Sequence, residues 1–157
     1  MSINDINLSR VAQIESVYQG LVGIAMSPAA ALECYKSYSC PNEDGIDTLY
    51  YKDYRTLGFK IPRQCGKTTW IHEKTKSSDG VLMVVKDDKF SKIAKEKGVP
   101  PSRVIPINKF TTESLYGVDI ILVDEGCFTA KGVKENEWFY REIAGVNNPN
   151  IQIVLIG

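Results

Sequence analysis

Five short apolar runs divide this chain, and segments with a helical spacing of apolar residues separate most of them. Strands that are apolar on both faces and alternate with helices are typical of a parallel sheet covered by helices on both sides. The sequence therefore predicts an α/β fold. The predicted strands are residues 56–61, 81–85, 104–107, 120–123 and 151–156, and the predicted helices between them are residues 69–76, 88–97 and 134–144.

An N-terminal helical segment, residues 1–45, is predicted to precede the α/β core of residues 46–157. Leu8, Val11 and Ile14 recur at helical spacing, and Ser27 followed by Pro28 is typical of a helix start with proline in its first turn. Two helices are expected within residues 8–36. A chain of 157 residues is expected to form one domain.

The composition is that of an ordinary globular protein, with 43% hydrophobic and 24% charged residues and a formal net charge of zero. No overall basic field is present to attract nucleic acid, although lysines crowd the middle of the chain and are either a local DNA-binding patch or solvated helix faces.

The start lacks the layout of a signal peptide, and no apolar stretch approaches the ~20 residues that cross a bilayer. We therefore expect a soluble protein without a membrane partner. The four cysteines have no zinc-ligand spacing, and we therefore expect free thiols in a reducing cytoplasm.

The first candidate site is the segment around Gly66-Lys67-Thr68, between a predicted strand and a predicted helix. This tripeptide is the second half of a phosphate-binding loop, in which glycine permits close approach of the backbone and lysine binds the β- and γ-phosphates. The Thr68 hydroxyl is a ligand for Mg²⁺ in such a loop. The alternative is a solvated turn that opens a surface helix.

The second candidate site is the acidic pair Asp124-Glu125, which follows the apolar run 120–123. Open α/β sheets bind their ligands at the carboxyl ends of the strands. Asp124 is suited to hold Mg²⁺ through water, and Glu125 is suited to accept a proton from an attacking water molecule. The alternative is a polar strand exit without a function.

Pro-Arg-Gln-Cys-Gly-Lys-Thr-Thr, residues 62–69, has Ile61 where the usual phosphate loop has its first glycine. In this form it resembles the phosphate loop of phage terminase large subunits, the P-loop, helicase-like (ASCE) ATPases that drive DNA into procapsids. Residues 123–126 resemble their second, acidic motif, and residues 151–156 resemble the strand that leads to their coupling motif. The resemblance covers about residues 55–157.

This resemblance implies an ATPase that uses ATP and Mg²⁺, with Thr68 and Asp124 at the metal and Glu125 as the catalytic base. Arg63 matches an arginine proposed in that family to contact the γ-phosphate; a surface ion pair is the alternative. The implied partners are double-stranded DNA, portal or other motor proteins and further copies of the chain. For a phage protein, the implied location is the host cytoplasm. The family's nuclease domain has no counterpart in the 157 residues, so DNA cleavage is not expected, and the chain is either a fragment or a small relative with a reduced core. The implied nucleotide-binding residues are Arg63, Gln64, Cys65, Gly66, Lys67, Thr68 and Thr69.

Three functions stay open at this point. The first is a Mg²⁺-dependent ATPase that couples hydrolysis to DNA translocation, and the second is a reduced, non-catalytic module that docks on a partner protein. The third is a small-molecule kinase. The tyrosines of residues 50–54 are interpreted either as packing against the sheet or as stacking on the adenine, and His72 as a structural residue.

Overall fold

The computed structural model describes residues 3–38, 46–62, 65–124 and 137–157, which form six α-helices and five β-strands. Within these ranges, no helix is both long enough and apolar enough to cross a bilayer. Three single 3-10 turns flank the third strand, at Pro101–Arg103, Ile107–Lys109 and Thr112–Leu115. The elements in chain order are α1 (Ile3–Ile24), α2 (Pro28–Tyr38), α3 (Thr48–Tyr54), β1 (Thr56–Phe59), α4 (Lys67–Ser77), β2 (Val81–Val85), α5 (Asp88–Glu96), β3 (Val104–Pro106), β4 (Ile120–Asp124), α6 (Glu137–Ala144) and β5 (Gln152–Ile156).

The five strands form one parallel sheet in the order β1-β5-β4-β2-β3, which confirms the predicted α/β fold and its parallel sheet. In the register of the sheet, Ile121 lies between Leu82 on β2 and Ile153 on β5. The strand that is last in the sequence, β5, thus lies between β1 and β4. Because all strands are parallel, the carboxyl ends of β1 and β4 lie at the same edge of the sheet, one strand apart.

Helices cover both faces of the sheet, because alternate strand residues contribute to two separate cores. One core combines Leu82, Ile121 and Ile153 with side chains of α2, α3 and α6. The other combines Met83 and Leu122 with side chains of α1, α4 and α5. Burial of each such aliphatic side chain contributes about 2 kcal/mol relative to leaving it in water.

The helix ends follow the capping signals of the sequence. The Ala30 amide donates to the Ser27 hydroxyl at 3.2 Å, so α2 begins as predicted. The Asp87 carboxylate caps α5 in the same way by accepting from the Phe90 amide at 3.1 Å. Two predicted bounds shift by two residues: β1 ends at Phe59 instead of Ile61, and α4 begins at Lys67 instead of Thr69. Residues 134–136 of the last predicted helix lie outside the described ranges, so the start of that helix stays a prediction.

The tyrosine-rich segment forms α3, a helix that the sequence analysis did not assign. The Tyr50 and Tyr51 rings are fully buried, and their hydroxyls donate to the carbonyls of Pro149 at 2.8 Å and Asn148 at 2.9 Å. These two rings therefore pack α3 against the turn before β5. Because neither ring has an exposed face, the structure supports the packing interpretation over stacking on a base.

Candidate functional site

The turn at Gly66, where α4 begins, has backbone features that suit an anion. Gly66 is the N-cap of α4 and has φ 85°, in the left-handed region that glycine adopts without a steric cost. Its carbonyl accepts from the Trp70 amide at 2.8 Å, which starts the helix. The first amide groups of α4 have no partner within the helix, so they are directed toward the turn together with the positive end of the helix dipole.

The structure brings Lys67 and Asp124 together, although they are 57 positions apart in the sequence. Lys67 begins α4 and Asp124 ends β4, and the Lys67 Nζ–Asp124 Oδ1 distance is 3.3 Å. The side chains are 27% and 32% exposed, so a ligand from solvent can reach both. An ion pair with this exposure contributes at most about 1 kcal/mol to stability. A bound anion can therefore replace Asp124 as the partner of Lys67 at little cost in stability.

Two side chains of the candidate site carry oxygen donors of the kind that Mg²⁺ prefers. Asp124 supplies a carboxylate, and Thr68, which follows Lys67 in the sequence and is exposed, supplies a hydroxyl. The described residues contain no cluster of three or more His, Cys, Asp or Glu side chains that could enclose a metal. This donor set fits a magnesium ion that is held by one or two protein ligands, water and phosphate oxygens.

Three of the predicted site residues, Arg63, Gln64 and Glu125, lie outside the described residues. Their roles at the γ-phosphate, in the loop and as the catalytic base stay predictions. Cys65 and Thr69 lie where the sequence analysis placed them, directly before Gly66 and in the first turn of α4.

Helix α1 packs beside the turn, a placement that the sequence analysis missed. A side chain at Gly66 would begin 3.7 Å from Arg10 Cβ and from Val11 Cγ2. The Glu15 carboxylate accepts from Trp70 Nε1 at 2.7 Å and from Lys74 Nζ at 2.8 Å, which joins α1 to α4. The helical spacing predicted a helix here, and Ile14 of that pattern is buried, but Leu8 is 69% exposed. No local signal identified α4 as the neighbour of α1.

The electrostatics of Glu15 follow from these contacts. Desolvation raises the pKa of Glu15, but hydrogen bonds from Lys74, Gln19 and Trp70 outweigh it, so the pKa lies below its ordinary value of 4.5. Glu15 is therefore ionised at neutral pH. The ionised carboxylate and the Lys74 ammonium form a charged contact between the two helices.

A groove of about 350 Å³ lies between α1 and the segment that leads from β1 into the turn. Its lining is mostly apolar and also includes two cationic side chains, one from α1 and one from the segment after β1. The lining residues are Arg10, Gln13, Ile14, Val17, Phe59, Lys60, Ile61, Pro62 and Cys65.

His72 lies one turn into α4, in a second hollow of about 280 Å³ between α4 and α5. Burial lowers the pKa of His72, and the charges of Lys76 and Lys97 lower it further. The imidazole is consequently neutral at pH 7 and adds no positive charge beside Thr68 and Thr69. This agrees with the structural role expected for His72.

Comparison of the chain with protein-family models, with curated proteins and with solved structures returned no match.

Proposed function

We propose that the chain binds ATP with Mg²⁺ at the turn before α4 and hydrolyses it, as the terminase ATPases that it resembles do. The observation that carries this proposal is the 3.3 Å contact between Lys67 and Asp124 at the carboxyl edge of the parallel sheet. A phosphate-loop motif by itself is compatible with a surface turn. An amine and a carboxylate that converge at a glycine turn and a helix N-terminus form a site for a metal-bound phosphate chain.

Each residue has a defined task in this reaction. Lys67 and the first amides of α4 bind the β- and γ-phosphates, and Thr68 and Asp124 hold Mg²⁺. When bound there, Mg²⁺ would supply positive charge to the phosphate oxygens. Glu125 accepts a proton from the attacking water, and Arg63 stabilises the charge on the transferred phosphoryl group.

We further propose that hydrolysis is coupled to translocation of double-stranded DNA, with portal or other motor proteins and further copies of the chain as partners. The resemblance to terminases supports this coupling. Exposed lysines on α5, at positions 89, 92 and 95, offer local positive charge for phosphate contacts although the whole chain is neutral.

A second candidate function is a non-catalytic module that docks on a partner protein. The observation in its favour is the exposed apolar surface at the carboxyl end of α1. Val22 is 39% exposed and Ile24 is 80% exposed, and Met26 just after the helix is 46% exposed. Apolar side chains that gather at a surface are typical of protein interaction sites.

Steady-state phosphate release, measured with and without double-stranded DNA, separates the two functions. Lys67→Ala is expected to weaken ATP binding roughly 100-fold, because a charge-assisted contact contributes about 2–3 kcal/mol. Glu125→Gln is expected to keep binding and to lower turnover at least about 100-fold. Lys52→Ala, at an exposed lysine of α3, is the matched control.

Calorimetry with Mg²⁺ and ATP completes the test. If the unmodified chain takes up no nucleotide, the ATPase proposal is wrong and the docking module is favoured. If Lys67→Ala binds ATP as tightly as Lys52→Ala does, the site lies elsewhere.

A further inference from the structure

We propose that the hollow between α4 and α5 is a docking site for an acidic segment of a partner protein. An apolar side chain of that segment enters the hollow against Ile93, and a neighbouring carboxylate meets His72 and Lys97. None of these three residues has a part in the proposed nucleotide site, so the inference does not depend on ATP hydrolysis.

The His72 ring is the first argument. It is 6% exposed and lines the hollow, and no described residue is placed to form a hydrogen bond with it. A neutral imidazole carries one N–H donor, which is therefore available to a ligand that enters the hollow. Because the ring is largely shielded from water, a hydrogen bond to this donor is stronger than one in open solvent.

Lys97 supplies positive charge at the same hollow. Its ammonium group has no ion-pair partner among the described residues, whereas the Lys76 ammonium lies 2.7 Å from the Glu73 carboxylate. Lys76 also donates to the Lys97 carbonyl at 3.2 Å, which joins the end of α5 to α4. Because Lys76 and Glu73 neutralise each other, Lys97 leaves the lining of the hollow with a net positive charge that is complementary to a carboxylate.

The remaining lining suits an apolar side chain. The volume of about 280 Å³ is slightly below that of sites for drug-sized ligands, and it can hold one large side chain of a partner. Ile93 lines the hollow, and Phe90, one turn earlier on the same side of α5, is 42% exposed. A partner side chain placed against these two residues removes apolar surface from water, which is favourable.

A protein segment fits this surface better than nucleic acid does. Binding to a phosphodiester backbone depends on a run of positive charges, whereas Lys97 is the one cation without an ion-pair partner among the residues described as lining the hollow. The exposed lysines at positions 92 and 95 lie on the opposite side of α5 from Phe90 and Ile93, as the helical repeat requires. A peptide can place an apolar side chain and a carboxylate next to each other, which matches the lining.

Nuclear magnetic resonance of the full chain gives a direct readout, because His72 is its only histidine. The probes are the terminally blocked peptide Glu-Leu-Asp-Phe-Glu-Leu, its neutral counterpart Gln-Leu-Asn-Phe-Gln-Leu and a double-stranded DNA oligonucleotide. The acidic peptide is expected to shift the imidazole signals of His72. It is also expected to bind at least about 5-fold more tightly than the neutral peptide, since it gains a charge-assisted contact.

Lys97→Ala is expected to bring the two peptides within about 2-fold of each other, because it removes the charge and keeps the backbone carbonyl that accepts from Lys76. Lys92→Ala, at an exposed lysine on the opposite side of α5, is the matched control and is expected to keep the preference. Ile93→Ala is expected to weaken both peptides by the same factor, because it removes only apolar contact.

Three results overturn the proposal. Absence of any shift at His72 with the acidic peptide shows that the hollow is not a docking site for such a segment. Equal affinity for the acidic and neutral peptides, or a preference that persists in Lys97→Ala, shows that Lys97 does not recognise a carboxylate. A shift of the His72 signals by DNA and not by the acidic peptide shows that the hollow binds nucleic acid instead.

Discussion

Arg55 is a buried charge that backbone carbonyls surround. It is 4% exposed, and its guanidinium donates to Ile151 at 3.1 Å, to Met26 at 3.0 Å and to Asn150 at 3.0 Å. Desolvation lowers the pKa of Arg55, while the nearby Tyr50 and Tyr51 act in the opposite direction. A guanidinium still remains charged at neutral pH. Arg55 therefore joins the loop between α1 and α2, at Met26, to Asn150 and Ile151 just before β5.

Arg55→Met tests this contact. The substitution is expected to lower the free energy of unfolding by about 3 kcal/mol, because it leaves three carbonyl groups without their charged donor. Urea unfolding measures the change. Arg141→Met, at an exposed arginine of α6, is the control and is expected to stay within about 0.5 kcal/mol of the unmodified chain. A loss of similar size in both variants would contradict the role of Arg55.

Among the helices, α1 is held against α4 by three kinds of contact. Tyr18 lies with its ring 5.4 Å from that of Trp70, and Lys74 Nζ lies 4.7 Å above the Tyr18 ring. Glu15 adds the charged contact to the same interface. Apolar packing, a cation–π contact and an ion pair together hold α1 beside the turn.

The pKa of Glu15 predicts a pH dependence of this interface. Because the folded-state pKa lies below the ordinary value of 4.5, the contribution of Glu15 is complete above that pH and is lost as the pH falls through the folded-state pKa. Glu15→Gln is expected to cost about 1 kcal/mol at pH 7 and progressively less as the solution is acidified below 4.5.

Urea unfolding between neutral pH and about pH 3 measures the difference between the two chains. Glu113→Gln, at an exposed carboxylate outside the interface, serves as the control. A difference between Glu15→Gln and the unmodified chain that stays constant with pH would show that ionisation of Glu15 does not stabilise the interface.

Three strands, β2, β4 and β5, pair with neighbours on both sides, and β4 and β5 carry the most completely buried side chains. The described edges of the sheet are β1 and β3. The side chains of Ile121, Leu122 and Val123 are fully buried, as are those of Ile153 and Val154. Local opening of the central strands therefore exposes both cores at once, whereas opening of an edge strand exposes only part of them.

Amide hydrogen exchange is expected to reflect this arrangement. Amides of β4 and β5 should exchange only through global unfolding, at least about 10-fold more slowly than those of β3. Peptide-level mass spectrometry under native conditions makes the measurement. Equal protection of β3 and β4 would contradict a central role for β4 and β5.

Local signals predicted most elements because those elements depend on local chemistry. Val81–Val85 was predicted without error, since five consecutive apolar residues suit a strand buried on both faces. The predicted strand at residues 104–107 ends one residue early, at Pro106, which has no amide to donate to a neighbouring strand. Helix α3 was missed although Asp47 caps it by accepting from the Leu49 and Tyr50 amides, a signal that was present in the sequence.

The sequence by itself determined the class of sheet and the turn at Gly66, because these follow from residue type and spacing over a few positions. Only the tertiary structure decided that β5 lies between β1 and β4, that Lys67 and Asp124 lie 3.3 Å apart, and that α1 walls a groove beside the turn. Those contacts join segments about 50 or more residues apart. Such pairings depend on the packing of all the elements around two shared cores, and no local pattern of residues specifies them.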